Sequence, residues 1–365
     1  NYEITLVDGE LEITKAVVTI TATDQTKVYG QANPALTFTY SGLVNGDTKV
    51  STEPSIATTA TQSSNVGTYP ITLTGGMDDN YEITLVDGEL EITKAGVTIT
   101  ATNQTKVYGE ANPTLTFSYS GLVNGDTKVT TEPSIATTAT LNSGVGVYSI
   151  TLEGGSDDNY TITLVNGTLT IGKRDLTITA EDKQKVYGEA NPALTFTYTG
   201  LVNDDEKVAD EPSISTTATV NSFVGTYPIA LTGGEDQNYA ITLVNGTLTI
   251  TKATLKIQAI AQSKIFGSSD PVLTFIATGF KSTDNMSSIS GKLDRTPGEQ
   301  VDVYTIGLGT LTATNNYLIE FTSAQFEIIP AQLIAISDPN PITTPWSVSP
   351  NLPTSLSAVT ADGRC

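Results

Sequence analysis

The chain repeats itself with a period of 79 residues. Two sets of aromatic residues stand at this spacing: Tyr2, Tyr81, Tyr160 and Tyr239, and Tyr29, Tyr108, Tyr187 and Phe266. The register is close, since residues 33–50 and 112–129 differ at only two positions. A period of this length gives each unit enough chain for its own core, so it predicts a string of similar small domains rather than one large fold.

The period divides the chain into four repeats and two partial ends. We expect the repeats to span residues 16–94, 95–173, 174–252 and 253–330. The fourth is a diverged copy, because it has lost the Leu-Val-Asn-Gly-Asp loop and the Asp-Asp pair of the others. Residues 1–15 match residues 80–94, and we expect them to be the C-terminal hairpin of a preceding repeat in a longer protein. Residues 331–365, which contain the only Trp, are expected to begin a different, Ig-like module or to form a tail.

Apolar side chains alternate along each repeat. In the first repeat Val18, Ile20 and Ala22 share one face, which is the two-residue period of half-buried strands. We expect six or seven strands, the last two joined by a tight hairpin turn at Asp87-Gly88, a dipeptide that tolerates positive φ. The predicted fold class is all-β, a tandem array of small Ig-like β-sandwich repeats.

The junctions between repeats contain no linker rich in Gly, Ser or Pro. Short, stiff joints are therefore expected, and with them an extended rod. A unit of 79 residues buries only somewhat more than about 60% of its unfolded surface, so contacts with neighbours matter to its stability. The first partners predicted for each repeat are thus the neighbouring repeats of the same chain.

Composition excludes several classes of function. The formal net charge of −21 repels phosphate backbones and anionic lipids, so we expect no nucleic-acid partner and no membrane contact by this segment. Histidine is absent, so catalytic triads and His-based metal sites cannot form, and we expect no enzyme activity. The single cysteine, Cys365, makes no internal disulfide. This suits a secreted bacterial protein and an extracellular or cell-surface location.

The best candidate for a chemical site is a loop, Gly-Gly-x-Asp-Asp-Asn-Tyr, at residues 75–81 and 154–160, and at 233–239 with Gln for the second Asp. Clustered Asp and Asn oxygens can supply part of a calcium shell. The candidate ligands are Asp78, Asp79, Asn80, Asp157, Asp158, Asn159, Asp236 and Asn238, with Asp47 and Asp126 as possible additions. The alternative is that these residues only form turns, since they cap backbone groups and tolerate left-handed φ. No other cofactor is expected.

Two further positions recur in each of the first three repeats. The Tyr-Gly pair at Tyr29, Tyr108 and Tyr187 is either an aromatic platform for a sugar or, as we favour, a core residue with its hydroxyl satisfied at the rim. The lysines Lys27, Lys106 and Lys185 are expected to be solvated charges at strand edges, where they discourage edge pairing.

The sequence resembles the MBG domain of the YGX type over roughly residues 1–330. The resemblance is carried by Thr26-Lys27-Val28-Tyr29-Gly30, Asn33-Pro34, Ser41-Gly42-Leu43, Gly67-Thr68-Tyr69 and the closing stretch from Asn80-Tyr81 to Ala95. This module occurs in tandem in very large bacterial surface proteins, including adhesins and gliding-motility filaments of Bacteroidota. The resemblance implies a secreted, β-sandwich-like stalk or adhesin repeat, often exported by a type IX secretion system.

Two functions remain open at this point. The first is a structural stalk segment of a very large secreted cell-surface adhesin or extracellular filament, which projects a distal binding region. The second is a multivalent repeat module that binds a glycan or a protein and gains affinity through tandem copies. Surface glycans or other filament subunits would then be partners in addition to the neighbouring repeats.

Overall fold

The computed structural model describes residues 1–333. They fall into two compact units: one comprises residues 1–174 and 237–240, and the other comprises residues 175–236 and the chain from 241 onwards. Over the described range the chain forms thirty strands, one short 3₁₀ helix and no α-helix, which confirms the all-β prediction. No helix long and apolar enough to span a membrane occurs in residues 1–333. The module or tail predicted at 331–365 lies, from 334 on, outside the described residues.

The first three repeats each contain seven strands in the same order. The first has β1 (Ala16–Ala22), β2 (Gln25–Val28), β3 (Phe38–Ser41), β4 (Ser55–Thr58), β5 (Gly67–Thr74), β6 (Tyr81–Val86) and β7 (Gly88–Thr93). The second has β8 (Ala95–Ala101), β9 (Gln104–Val107), β10 (Phe117–Ser120), β11 (Ser134–Thr137), β12 (Gly146–Glu153), β13 (Tyr160–Val165) and β14 (Gly167–Gly172). The third has β15 (Arg174–Ala180), β16 (Lys183–Val186), β17 (Phe196–Thr199), β18 (Ser213–Thr216), β19 (Gly225–Thr232), β20 (Tyr239–Val244) and β21 (Gly246–Thr251).

The seven strands of a repeat form two sheets. In the first repeat the orders are β3-β1-β6 and β2-β7-β5-β4. The pairs β1/β6 and β2/β7 are parallel, and the others are antiparallel. The second repeat has the corresponding orders β10-β8-β13 and β11-β12-β14-β9, and the third has β17-β15-β20 and β16-β21-β19-β18. Each repeat is therefore built as a small β-sandwich.

The core of a repeat comes from alternate residues of both sheets. Val18 and Ile20 on β1 are fully buried, as are Ile71 on β5 and Leu90 and Ile92 on β7. The intervening residues face outward, and many of them are Thr. Burial of each of these aliphatic side chains contributes about 1.5–3 kcal/mol, which is the main force that holds the two sheets together.

The prediction of a hairpin at Asp87-Gly88 is wrong. Strand β6 belongs to one sheet and β7 to the other, so the chain crosses between the sheets at this point. Asp87 Oδ1 accepts a hydrogen bond of 2.9 Å from Leu73 N. A Cβ atom at Gly88 would lie 2.8 Å from Ala22 O, so glycine is needed here for close approach rather than for a turn.

Residues 1–15 contain no strand. Their counterparts at 80–94 form β6 and β7, which pair with β1, β2 and β5 of the same repeat rather than with each other. The apolar side chains of this segment, such as Leu6 and Ile13, are exposed. Its assignment to a preceding repeat, like the other repeat boundaries, stays a prediction.

The fourth repeat keeps both sheets and adds a small third one. Its sheets have the orders β24-β22-β29, β23-β30-β27-β26 and β25-β28. The elements are β22 (Ala253–Ala259), β23 (Gln262–Ile265), β24 (Phe275–Thr278), the 3₁₀ helix (Met286–Ser288), β25 (Ile289–Ser290), β26 (Asp294–Arg295), β27 (Val303–Gly307), β28 (Thr312–Ala313), β29 (Tyr317–Thr322) and β30 (Ala324–Ile329). The additions lie between β24 and β29, where the sequence departs most from the other repeats.

Candidate functional site at the repeat junctions

The Tyr-Gly pair lies where one repeat meets the next. Tyr29, which follows β2 of the first repeat, is only 6% exposed. Its ring meets that of Tyr160, in the second repeat, edge to face, with centroids 5.5 Å apart and an interplanar angle of 84°. The structure thus confirms the favoured prediction, that this tyrosine is a buried core residue and not an exposed platform for a sugar. The tyrosine is buried between two repeats, however, which the sequence alone did not specify.

A single carboxylate joins the two tyrosines. Asp126 Oδ2 accepts hydrogen bonds from Tyr29 OH at 3.2 Å and from Tyr160 OH at 2.7 Å. Tyr160 OH in turn accepts a hydrogen bond of 2.9 Å from Val123 N. Burial is the main cause that raises the pKa of Tyr160 to about 12; its hydrogen bond with Val123 acts in the opposite direction, and the Asp126 carboxylate adds to the rise. The phenol therefore stays neutral and remains a donor at any physiological pH.

Gly30 allows the second repeat to approach closely. Its φ is +83°, and a Cβ atom at this position would lie 2.4 Å from Val123 Cγ2. Any other residue would clash with Val123 and would also be strained in the left-handed region. Val123 is presented by the Leu-Val-Asn-Gly-Asp loop, in which Asn124 and Gly125 adopt positive φ. The Tyr-Gly pair of one repeat and the Leu-Val-Asn-Gly-Asp loop of the next therefore form the two sides of one junction.

An asparagine completes the junction. Asn159 Oδ1 accepts a hydrogen bond of 2.9 Å from Val66 N, and its Nδ2 donates to Asn65 Oδ1 at 3.1 Å. Asn65 and Val66 lie in the first repeat, just before β5. Asn159 belongs to the loop that was proposed as a calcium site, so one side chain of this loop binds the preceding repeat.

The second unit contains the same arrangement. The rings of Tyr187 and Tyr317 are 5.6 Å apart at 86°, and both hydroxyls donate to Asp284 Oδ2, at 3.0 Å and 2.7 Å. Val224 N donates to Asn316 Oδ1 at 3.1 Å. The fourth repeat thus keeps the carboxylate of the junction although its Leu-Val-Asn-Gly-Asp sequence has changed, since Asp284 takes the position of Asp126.

The ring contact and the asparagine hydrogen bond of the junction recur elsewhere in the first unit. Tyr108 packs edge to face on Tyr239 at 5.5 Å and 86°, and Val145 N donates to Asn238 Oδ1 at 3.0 Å. Tyr239 and Asn238 belong to the stretch 237–240 that is part of the first unit. The pairing of these motifs is thus a regular property of the array.

The aspartates proposed as calcium ligands bind backbone N–H groups of their own repeat. Asp78 accepts from Asn80 N at 2.7 Å through Oδ1 and from Ser51 N at 2.8 Å through Oδ2. These two hydrogen bonds lower the pKa of Asp78. Asp157 makes the equivalent bonds to Asn159 N and Thr130 N.

The remaining candidates do not gather around a common point. Asp236 accepts from Ala209 N at 2.9 Å, whereas Asp79, Asn80 and Asp158 are exposed. Asp47, like Asp126, accepts a tyrosine hydroxyl, from Tyr81 at 2.8 Å. Within residues 1–333 no group of three or more acidic, His or Cys side chains is placed to hold a metal ion. Calcium binding at these residues stays a prediction.

The recurring lysines are buried, so the prediction that they are solvated edge charges is wrong. Lys27 is 5% exposed, and its Nζ donates to Thr61 O at 2.5 Å and Gln31 O at 3.1 Å. Burial lowers the pKa of Lys27. Lys106 and Lys185 are buried and bonded to backbone carbonyls in the same way. Each lysine ammonium thus donates to carbonyls of two different loops, next to the edge strand on which the lysine lies.

The fourth repeat replaces these carbonyls by charged groups. Lys264 forms ion pairs with Asp270, at 2.6 Å, and with Glu299. Arg295 binds both oxygens of Asp270, at 2.6 Å and 3.1 Å, and stacks over the ring of Phe326 at 4.9 Å. Hydrogen bonds from Arg295 are the main cause that lowers the pKa of Asp270 to about 2. Sequence reasoning missed this cluster, although the change from Asn191 to Asp270 one period later was a signal for it.

These features define a class: proteins built from tandem β-sandwich repeats in which motif residues of one repeat contact the next. The chain belongs to the MBG domain (YGX type) family, whose model matches residues 18–91, 97–170, 176–249 and 255–327. Each matched range lies within one of the four repeats. Among curated proteins, no sequence matches the chain.

Several solved structures are similar to this chain at low identity. Drosophila N-cadherin EC1-4 is 9% identical, with 73% of this chain and 83% of that chain covered and a TM-score of 0.19. The three N-terminal domains of the highly immunogenic outer capsid protein of bacteriophage RB49 are 11% identical, with 86% and 99% covered and a TM-score of 0.18. The Bacillus anthracis TIE protein is 8% identical, with 86% and 74% covered and a TM-score of 0.20.

Proposed function

We propose that this chain is a structural stalk segment of a very large secreted cell-surface adhesin or extracellular filament, whose repeats carry a distal binding region. The observation that supports this proposal is the position of the recurring motif residues, which lie at the contact between one repeat and the next. Tyr29 and Gly30 of one repeat contact Val123, Asp126 and Tyr160 of the next. Residues that recur in a binding module would be expected on the surface, where a ligand reaches them, whereas these residues hold neighbouring repeats together.

The chemistry of the junction suits a load-bearing role. An edge-to-face aromatic pair contributes about 0.5–1.5 kcal/mol beyond the burial of its surface, and a hydrogen bond to a charged group contributes about 1.5–3 kcal/mol. Tyr29 makes both kinds of contact. In a repeat array such nearest-neighbour terms add to the stability of each small repeat and resist bending at the joint.

The proposed setting is the outside of a bacterial cell. A net charge of −21 favours solubility at a crowded surface and keeps chains apart. Membership of the MBG domain (YGX type) family supports the finer proposal of an adhesin or gliding-motility filament of Bacteroidota, exported by a type IX system. The partners are the neighbouring repeats and other filament subunits, and the proposal assigns no catalytic role to the chain.

Pulling the full chain by its ends tests the structural role. Each repeat of 79 residues should unfold in a separate event that releases about 25 nm of chain. Tyr29→Ala should lower the unfolding force of the first two repeats, because both lose contacts at their junction. Unchanged forces in this variant would count against a load-bearing junction.

A glycan array with the same protein tests the second candidate, a multivalent binding module. In the described part of the chain no exposed aromatic side chain recurs at the same position of the four repeats, so we expect no binding to the array. Specific binding to one glycan class, lost when a surface residue common to the repeats is changed, would favour the binding module over the stalk.

A further inference from the structure

The dipeptide Asn-Gly occurs four times in the chain. In this dipeptide the asparagine side chain is open to attack by the next backbone N, because glycine has no Cβ atom to hinder the approach. The structure divides the four copies into two pairs. The first pair lies in the Leu-Val-Asn-Gly-Asp loops, at residues 45–46 and 124–125. The second pair, at 166–167 and 245–246, lies where the chain crosses between the two sheets of a repeat.

The first pair is exposed in tight turns. Asn124 and Gly125 have φ values of 54° and 81°. The turn is closed by a hydrogen bond of 3.0 Å from Asp126 N to Val123 O, and residues 45–46 form the same turn. Both dipeptides are exposed, and a Cβ atom on Gly125 would meet no other atom within 4 Å. Such a turn opens locally without disturbing the sheets, since few contacts hold it.

The second pair is held inside the sandwich. Gly167 is buried at the start of β14, and a Cβ atom on it would lie 2.7 Å from Ala101 O. Asn166 Oδ1 accepts a hydrogen bond of 3.1 Å from Leu152 N, which fixes the amide. Residues 245–246 are buried and bonded in the same way. Opening at these positions requires the sheet to separate, so it is much rarer than opening of an exposed turn.

We propose that Asn45 and Asn124 are sites of spontaneous deamidation in the folded protein, and that Asn166 and Asn245 are protected. In this reaction the backbone N of the following glycine attacks the Asn Cγ. The new bond from N to Cγ replaces the bond from Cγ to Nδ2, and ammonia leaves with the proton of the glycine N–H. Water then opens the resulting succinimide at one of its two carbonyls and gives aspartate or isoaspartate. No oxidant, reductant or enzyme is needed.

Reaction at Asn124 changes the contact between the first two repeats. Its turn holds Val123 against Gly30 and Asp126 against Tyr29. Isoaspartate lengthens the backbone of the turn by one methylene, and either product adds a carboxylate close to that of Asp126, where like charges repel. We therefore expect the junction to loosen. Deamidation here is independent of the proposed stalk role, since it depends only on the turn.

Incubation of the full chain at mildly alkaline pH tests the proposal. Peptide mapping by mass spectrometry, with isoaspartate resolved by chromatography, follows each asparagine. Asn45 and Asn124 should react several-fold faster than Asn166 and Asn245, and all four should react at similar rates in concentrated denaturant. The proposal is overturned if the four rates are similar in the folded chain, or if neither Asn45 nor Asn124 reacts. It is also overturned if the difference persists in denaturant, because local sequence would then explain it.

Gly125→Asp is the matched variant. The third repeat has Asp204 at the corresponding position, with φ of 63°, so the turn accepts aspartate. The variant should slow reaction at Asn124 several-fold, because the new side chain hinders the attacking N, and should leave the rate at Asn45 unchanged. Incubation should then speed amide exchange at residues 29–30 in the wild type and not in the variant. Equal changes in the two proteins would overturn the effect on the junction.

Discussion

Truncation of Tyr29 gives the sharpest test of the junction. The ring is buried between two repeats, and removal of a buried aromatic side chain in Tyr29→Ala should cost about 3–5 kcal/mol. Tyr29→Phe keeps the ring and removes only the hydroxyl that donates to Asp126 at 3.2 Å. Because this hydrogen bond is long, its loss should cost about 1 kcal/mol, roughly a fivefold change in an equilibrium constant.

Amide hydrogen exchange locates the effect along the chain. If the contact spans two repeats, Tyr29→Phe should speed exchange both in the first repeat and in the loop of the second that contains Val123 and Asp126. A double-mutant cycle with Asp126→Asn then isolates the pairwise term, for which we expect about 1 kcal/mol. The cycle is needed because Asp126 also accepts from Tyr160, so the single Asn variant removes more than one contact.

Tyr40 provides the matched control. Its hydroxyl also donates to a carboxylate, that of Glu53, at 3.0 Å, but both residues belong to the first repeat. Tyr40→Phe should therefore change exchange only in the first repeat. The reasoning about the junction is refuted if Tyr29→Phe also changes amide exchange in the first repeat alone. It is refuted as well if the coupling energy between Tyr29 and Asp126 is zero within error.

Three other predictions concern single groups. Burial lowers the folded pKa of Lys27 below 10.5, so the unfolded chain binds more protons between the two values and stability rises with pH there. Lys27→Met should lose the share of this rise that comes from the first repeat, since Lys106 and Lys185 have lowered pKa values of their own, whereas the exposed Lys49→Met should keep the full rise in thermal melts. Asp270, with a folded pKa of about 2 against 3.8, stabilises the fourth repeat fully above pH 3.8 and loses that contribution as pH falls through 2. The loss should be about 1 kcal/mol after solvent screening, and hydrogen exchange of β30 should show it in the wild type but not in Asp270→Asn. Asp78→Ala should lower the melting temperature equally with calcium and with a chelator, because its carboxylate binds backbone N–H groups; a calcium-dependent difference would support the calcium hypothesis instead.

The strands could be predicted because their signal is local. Alternation of apolar residues along β1 and β7 is a two-residue pattern, and it places Ile20 and Leu90 in the core as observed. The same local rule failed at β2. Hydrophobicity favours Val28 as its inward residue, yet Lys27 is buried, because carbonyls of two loops satisfy its ammonium. Those carbonyls belong to residues as far as 34 positions away, which no local pattern can show.

The turn at Asp87-Gly88 failed for a related reason. An Asp-Gly pair between two strands favours a hairpin when only local geometry is considered. Here Asp87 is held by Leu73 N and Gly88 lies against Ala22 O, so packing between the two sheets decides the path of the chain. Tertiary contacts of this kind override turn propensity wherever the flanking strands have better partners elsewhere.

The sequence did not predict the junction, although most of its residues belong to recurring motifs. Periodicity shows that Tyr29, Gly30, Asp126 and Asn159 recur, but it does not distinguish a residue kept for its own repeat from one kept for the next. Tyr29 and Asp126 are 97 positions apart, which exceeds one period of 79. A contact longer than the period is the mark of an interface between copies, and it can be read only from coordinates.

The fourth repeat shows that the two halves of the junction are separable. It keeps the half that receives a preceding repeat, since Asp284, Asn316 and Tyr317 make the contacts seen at the other junction. It has changed the half that meets a following one, where Phe266 and Ile329 replace a tyrosine and a threonine. A phenylalanine has no hydroxyl, so position 266 cannot donate the hydrogen bond that Tyr29 donates to Asp126 and Tyr187 donates to Asp284.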